Sequence, residues 1–535
     1  MGKNELPRSK LRGIKQECHA RENGHPSWIP SFEGMTNENS WHQGARNLET
    51  QGRDFPVIMR ATPQQAAGRV QTFSKQASGN LPGVIKLFLL ALLLTLSLAS
   101  SVMALGDGIA IVKVGNGTYA SGVEIQKDGK ILVSAASFFA NQGRSILIRR
   151  NADGSPDQSF GHDGMITTGL PDNYIESEGM ALQGDGKAVI AGRVIPINEK
   201  NEFSGRTNDD FVVIRYTPEG QLDKEFNHSG WVKTDIDGAI DVAHGVAVQK
   251  DRKIVVIGNA LSRCMVVSSC YHFALLRYNE DGSLDRGFGK RGKVITRVGS
   301  ASEDSARAIA IQADGKILVA GKAHRRYEGD VAIVRYKPDG TVDRSFGVKG
   351  KVRKQFGKDE ERIGSAVKSM AIQPDGKIVA GINLYQHGTN WVEGRLMRYN
   401  PDGSLDRTFG TGGLTAVNKD VGSVALQEDG KILYCGGAYD ESRSSHVIIV
   451  GRRNRDGSPD TSFGSHGITR VAMGKSFATG RRIAIQQDGR IVVAGDVGTK
   501  ATGIHSRSSR YPSDLVLFRL TTNGQLDEKF GSAVR

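Results

Sequence analysis

Cysteine is scarce in this chain, four residues in 535, and none of them stands in the paired C-x-x-C spacing of a zinc or redox site. Also missing are H-E-x-x-H, G-x-S-x-G and G-x-x-x-x-G-K-[ST], so no short motif marks a reaction. Apolar residues do not recur with the 3.6 spacing of amphipathic helices through the C-terminal four-fifths of the chain. The formal net charge is +14, of which +9 lies beyond residue 105. That excess lacks the clustered Lys/Arg stripe and stacking aromatics of a nucleic-acid site, so no nucleic-acid partner is expected.

What is present is repetition. The stretch Ala308 to Val352, AIAIQADGKILVAGKAHRRYEGDVAIVRYKPDGTVDRSFGVKGKV, recurs in seven copies. Aligned on Gln126, Gln183, Gln249, Gln312, Gln373, Gln427 and Gln486, the copies are separated by 57, 66, 63, 61, 54 and 59 residues. A fixed period of this kind marks units that cannot bury their apolar faces alone and must stack on their neighbours. Each copy holds four short Val/Ile-rich runs punctuated by Gly and Asp, which predicts four antiparallel strands. Seven such units close a ring, an all-β, seven-bladed β-propeller over residues 106–535, expected to be a monomer.

Two segments precede it. Residues 1–83 are polar and without apolar periodicity, so disorder is expected there, and Met35 and Met59 offer alternative starts. Residues 84–105 contain a run of 19 without charge, LFLLALLLTLSLASSVMAL from Leu87 to Leu105. That predicts one hydrophobic helix, either a signal peptide cleaved after Ala104 or a membrane anchor with its basic flank in the cytoplasm. Either fate places the propeller outside the cytoplasm, in the periplasm, on the cell surface or in the medium. Asp107 to Val114, DGIAIVKV, matches the fourth run of a unit, and the seventh copy lacks one. The N-terminal strand is therefore expected to complete the last blade, although a different blade phase would leave the ends unlocked.

Within a unit, the residue two before each Gln is Ala in six copies and Glu124 in the first, which suggests a small-residue face around a central channel. The Gln residues are expected to bond backbone edges between blades. A Asp-Gly-Lys/Arg turn follows, read as a two-residue reversal and broken only at Asp251-Arg252. The connection after the second run differs in every copy, so one face carries fixed turns and the other variable loops, the expected binding face. An Arg ends the third run in all seven copies, and an Asp recurs eight residues later, a spacing that suggests an intrablade ion pair. NEDGSLD and NPDGSLD also space oxygens at alternate positions, which raises calcium as an alternative, although no bidentate acid completes the loop.

The units RYNPDGSLDRTFGTGG (Arg398 to Gly413) and ALQEDGKILYCGG (Ala425 to Gly437) resemble the delta-60 repeat family, bacterial proteins with a β-propeller domain of unknown function. A looser similarity to NHL-type propellers places AIAIQ innermost. The resemblance implies an exported protein and brings no established activity. Candidate site residues stand five before the Gln, at the expected channel mouth: Glu178, His244, Arg307, Lys368 and Arg481. Glu124 and Arg482 break the small-residue rule on neighbouring blades and are expected to pair in the channel. Cys264 and Cys270 bracket one loop and could form a disulfide in an oxidising compartment. Three functions follow as expectations: a scaffold binding a protein or glycan through the variable loops, a hydrolase or lyase using His244 and Glu178 as acid and base, or a structural envelope component.

Overall fold

The computed structural model describes residues 102–531 except 106–107, 115–116, 140–141, 198–208, 237, 263–269, 300–302, 326–327, 358–362, 387–388, 390–391, 418–419, 444, 475–476 and 499–512. The expected disorder of residues 1–83 and the hydrophobic run as far as Ser101 lie outside those residues. The last four residues of that run, Val102–Leu105, form a β-strand rather than the end of a helix. No helix among the described residues is long and apolar enough to cross a membrane.

Seven antiparallel sheets make the fold. Their first strands are Thr118–Ile125, Asn173–Leu182, Asp241–Val248, Ser305–Ile311, Ile363–Ile372, Ser423–Leu426 and Phe477–Ile485, taken as blades 1 to 7. These seven strands touch one another in a closed ring, so they are the innermost, which settles the blade phase. Blade 7 is completed by Ile109–Val112, which pairs antiparallel with Ser513–Leu520 through Ile109↔Phe518 to Val112↔Leu515. The expected interlock of the two chain ends therefore forms, and Val102–Leu105 adds a fifth strand outside it.

The core lies between blades. Middle strands such as Ile317–Arg325 are buried on both faces through Ala320, which is why ILVA reads as a continuous apolar run rather than an alternation. Val255, Ile257, Phe273 and Leu275 of blade 3 pack against Val319, Val334 and Tyr336 of blade 4, and each other pair of neighbours encloses a similar cluster. On the first strands, Val123, Met180, Val246, Met370, Val424 and Ile483 are buried toward this core. The Ala series of the opposite parity stays partly accessible along the channel.

The repeated Arg and Asp pair within each blade, with Arg Nε to Asp Oδ2 at 2.6–2.9 Å in all seven. The pair does more than clamp its own turn. Every one of the seven guanidinium groups also donates to a backbone carbonyl of the next blade: Pro218, Glu280, Pro338, Pro401, Arg455, Thr522 and, closing the ring, Ala152. Each also stacks on the Phe three residues past its Asp, with the guanidinium carbon 4.2–4.9 Å from the ring centre. The turn glycine of the next blade rests on that same ring. At Gly340, with φ +85°, an added Cβ would lie 2.9 Å from Phe288.

The clasp and its turn already engage oxygens that the calcium alternative invoked. Asp281 Oδ1 accepts the Ser283 amide at 2.9 Å and its hydroxyl at 2.6 Å, while Asp285 Oδ2 holds Arg277 and Lys253, so protein donors satisfy the turn oxygens. The Asp-Gly turns also differ from a two-residue reversal. Gln126 accepts from Gly129 and donates to Lys130, a three-residue loop in which only the glycine takes positive φ. Arg252 occupies that left-handed position at φ 65°. The Gln side chains serve their own blade more often than the next: Gln249, Gln427 and Gln486 accept from the clasp arginine of their own blade, and Gln486 also donates to Ala152 of blade 1.

Candidate functional site at the channel mouth

First strands begin on the variable-loop face, and there six of them carry a β-bulge. The register slips between Ala120 and Gly122, Ser177 and Gly179, Ala243 and Gly245, Ala306 and Ala308, Val367 and Ser369, and Gly480 and Arg482. The extra residue in each is the one five before the Gln: Ser121, Glu178, His244, Arg307, Lys368 and Arg481. A bulge breaks the two-residue alternation and re-aims the side chain it carries. The sequence signal for it is the glycine opposite. At Gly192, Gly258, Gly321 and Gly495 an added Cβ would lie 1.9–2.3 Å from the carbonyl oxygen of Glu176, Val242, Ser305 or Thr479. In those four blades the close approach requires glycine, whereas Ala135 and Ile382 stand opposite the bulges of blades 1 and 5, so the signal marks four of the six.

His244 and Glu178 come together, with Nδ1 and Oε2 4.0 Å apart, but the His244 side chain is 1% exposed and that of Glu178 23%. Asn259 Nδ2 lies 3.2 Å from His244 Nε2, and Arg307 Nη1 lies 3.4 Å from Nδ1. The imidazole is thus held from blades 2, 3 and 4. Arg307 is further fixed by Ser305 at 3.1 Å, and the Ala306 amide donates to Asn259 at 3.0 Å.

Around blade 1, Arg481 joins a second charged group, whose other members sequence reasoning missed. Arg481 pairs with Asp496, and its guanidinium lies 5.5 Å from the Tyr119 ring centre. Burial, then Glu176 and Glu178, push the Tyr119 phenol well above its ordinary pKa. Glu176 in turn binds Arg193, which also reaches Asp209 at 2.9 Å. Burial alone would lower the Arg193 pKa, and the surrounding carboxylates reverse that and raise it. Arg193, Asn259 and Asp496 all follow the bulge-facing glycine of the second strand, so their positions were marked by the same signal.

The expected Glu124–Arg482 pair does not form. Arg482 stands one pleat nearer the mouth, where it donates to the carbonyls of Ser121 at 2.7 Å, Arg481 at 3.0 Å and Glu178 at 3.1 Å. Glu124 is left among the channel alanines, and burial raises its carboxyl from 4.5 to about 7. The folded state therefore disfavours the ionised form, so stability falls as pH rises from about 4.5 through 7. Glu124→Gln is expected to raise stability by about 1–3 kcal/mol at pH 8.5, with a much smaller difference at pH 5. Urea unfolding at both pH values checks this, and an equal gain at both would show that burial of the charge is not the cause.

Cys270 is disulfide-bonded, its partner sulfur lying outside the described residues, as does Cys264; Cys435 is free and buried. Among the described residues one group of three acids has the spacing to hold a metal ion, Asp210, Asp235 and Asp241. It lies on the variable-loop face where blades 2 and 3 meet, with Asp241 at the start of the strand that carries His244.

Fold and repeat chemistry together define a seven-bladed β-propeller whose clasped turns form one face and whose bulged inner strands open on the other. Six segments, 126–160, 249–288, 312–346, 373–409, 427–463 and 486–530, match a family described as a domain of unknown function (DUF5122) beta-propeller. The chain belongs to that family, in keeping with the delta-60 resemblance. No curated protein matches the chain.

Among solved structures, a protein of unknown function from Dyadobacter fermentans is similar at 10% identity and TM-score 0.42, over 65% of this chain and 96% of that one. An ulvan lyase of polysaccharide lyase family PL25, bound to -[GlcA(1-4)Rha3S]-, is similar at 11% and TM-score 0.41, over 79% and 96%. Sqt1 from Chaetomium thermophilum is similar at 13% and TM-score 0.36, over 76% and 95%. These likenesses are too distant to carry an activity across.

Proposed function

We propose that the protein is an exported binding scaffold that recognises a protein or glycan on its variable-loop face, with the channel mouth as the anchor. The observation that supports this reading is the set of bulges, which fall at Glu178, His244, Arg307, Lys368 and Arg481, at the variable-loop ends of the first strands of five blades. Export is supported by the charge-free run from Leu87 to Leu105 and by the disulfide at Cys270, since such bonds persist outside the cytoplasm. Membrane contact, if the run is retained, is through residues 84–105.

The reading is tested by binding of the full chain to an array of acidic and neutral glycans and to envelope proteins, repeated with Arg307→Ala and Lys368→Ala. At least a tenfold loss of affinity in both variants, with unchanged thermal stability, is expected. Binding untouched by either variant would remove the mouth from the interface. A second reading, a hydrolase or lyase, is favoured by the 4.0 Å approach of His244 to Glu178. It requires turnover of a bound glycan that Glu178→Gln abolishes without abolishing binding.

A further inference from the structure

Blades 2 and 3 meet at a carboxylate cluster whose counterpart one blade further on is built from opposite charges. Five residues before the clasp arginine stands Asp210 in blade 2 and His272 in blade 3. One residue past the threonine that ends the fourth strand stands Asp235 in one and Arg297 in the other. Eight before the Gln of the following blade stands Asp241 and, correspondingly, Asp304. The two sites thus share one aspartate and differ in its neighbours.

Asp304 is satisfied by protein donors. It accepts the amides of Val298 at 2.8 Å, Gly299 at 3.0 Å and His324 at 3.0 Å, and the His272 Nδ1 lies 3.9 Å away. Asp241 is 0% exposed, and only its Oδ2 has a partner, the Ile236 amide at 2.7 Å. Its Oδ1 is buried without a full hydrogen bond, because the amide corresponding to His324, that of Leu261, faces the carboxylate but is shared with the Ile240 carbonyl, to which it donates at 3.1 Å. A buried carboxylate oxygen with no donor of its own, set beside two further acids, needs a cation or a proton. Two lysines reach this group: Lys233 pairs with Asp210 at 3.2 Å and is 44% exposed, and Lys293 donates to the backbone carbonyls of Asp235 at 2.7 Å and Ile236 at 3.4 Å.

We propose that Asp210, Asp235 and Asp241 bind one calcium ion that ties blade 2 to blade 3 on the variable-loop face. All three offer an oxygen, the donor of a hard cation, and these atoms lie within 4.8 Å of one another. Calcium accepts irregular all-oxygen sets and carboxylates from separate elements, whereas magnesium demands a near-ideal octahedron and keeps most of its water, so a site built from two blades and a loop favours calcium. The exposed Asp235, in the link from the fourth strand of blade 2 to blade 3, leaves one side of the ion open to water or to a carboxylate or hydroxyl of a bound ligand.

The test is calorimetric titration and thermal unfolding of the chelator-treated full chain with calcium and with magnesium. One calcium per chain and a rise in Tm of about 3 °C at saturation are expected, with magnesium at least tenfold weaker. Asp235→Asn, at an exposed position, is expected to weaken calcium binding at least tenfold. The double change Asp210→His/Asp235→Arg, which copies the neighbouring site, is expected to abolish binding while leaving the metal-free Tm equal to or above that of the wild type. Absence of heat and of a Tm shift with either ion would overturn the proposal, as would an undiminished calcium response in the double variant. Equal affinity for magnesium would overturn the choice of calcium.

Discussion

A chain that starts at Gly117 is expected to lose the folded ring, because blade 7 would end at the exposed edge of Ser513–Leu520. The strand Ile109–Val112 is buried along its whole length, with Ile109, Ile111 and Val112 packed into two separate interblade clusters. Burial of such side chains contributes about 1.5–3 kcal/mol each, so three of them approach the total stability of a typical domain, about 5–15 kcal/mol. The backbone approaches closely here too. Gly108, at φ +76°, passes where an added Cβ would lie 2.3 Å from the Asp527 carbonyl oxygen. A point change tests closure without truncation. Ile111→Asp is expected to cost more than about 4 kcal/mol in urea unfolding, whereas Val348→Ser, at a side chain 77% exposed, is expected to stay within about 0.5 kcal/mol. A truncated chain with the wild-type midpoint would show that the ring does not depend on this strand.

The clasp is the second place where one residue carries a large effect. Arg335 binds Asp343 at 2.8 Å, Ser345 Oγ at 3.1 Å and the Pro401 carbonyl at 2.6 Å, over the Phe346 ring. Arg335→Ala is expected to cost about 3–5 kcal/mol, since it leaves Asp343, 4% exposed, with Lys316 at 4.0 Å as its paired cation and leaves a carbonyl of the next blade without its donor. Arg335→Lys is expected to recover less than half of that, because an ammonium cannot serve both oxygens in the guanidinium plane or stack on the ring. Arg335→Met with Asp343→Leu is expected to recover more, since it removes the stranded charge. Guanidinium unfolding of the three variants decides between these, and a cost below about 1 kcal/mol for Arg335→Ala would reduce the clasp to a surface ion pair.

The same pair sets the acid limit. Burial alone would raise the Asp343 pKa, but the Ser345 hydroxyl and amide and the Arg335 charge reverse this and hold it below the ordinary carboxylate value. Its contribution is therefore complete above about pH 4 and is lost as pH falls through the lower folded value. Asp157, Asp406 and Asp460 are lowered by the same kinds of partner, so the clasps are expected to fail together in strong acid.

Seven copies of one sentence made the architecture legible before any coordinates. Blade number, strand number, the small-residue channel face and the closure by Asp107 to Val114 each follow from comparing copies, because a deviation in one is exposed by the other six. The repeat also placed the mouth residues, since Glu178, His244, Arg307, Lys368 and Arg481 vary where the surrounding positions do not. What repetition does not encode is contact between copies. The Arg–Asp spacing showed an intrablade pair, yet its partner carbonyl lies about one repeat away, and only the stacking of blades brings the two together.

Parity is the other limit. Alternation predicts the face of a strand residue as long as the register holds, and the bulge at Ser121, Glu178, His244, Arg307, Lys368 and Arg481 adds one residue where the mouth begins. Glu124 and Arg482 were expected to meet because they sit on one face of adjacent strands; the pleat separates them, and Arg482 turns to backbone carbonyls instead. Asp210, Asp235 and Asp241 come from two blades and a connecting loop, so no spacing along the chain announces them. The sequence by itself determined the ring, its closure and the clasped turns, because local periodicity and side-chain size dictate them. The tertiary structure alone decided which charges meet, because that depends on where neighbouring blades bring side chains from distant positions into one dry, low-dielectric space.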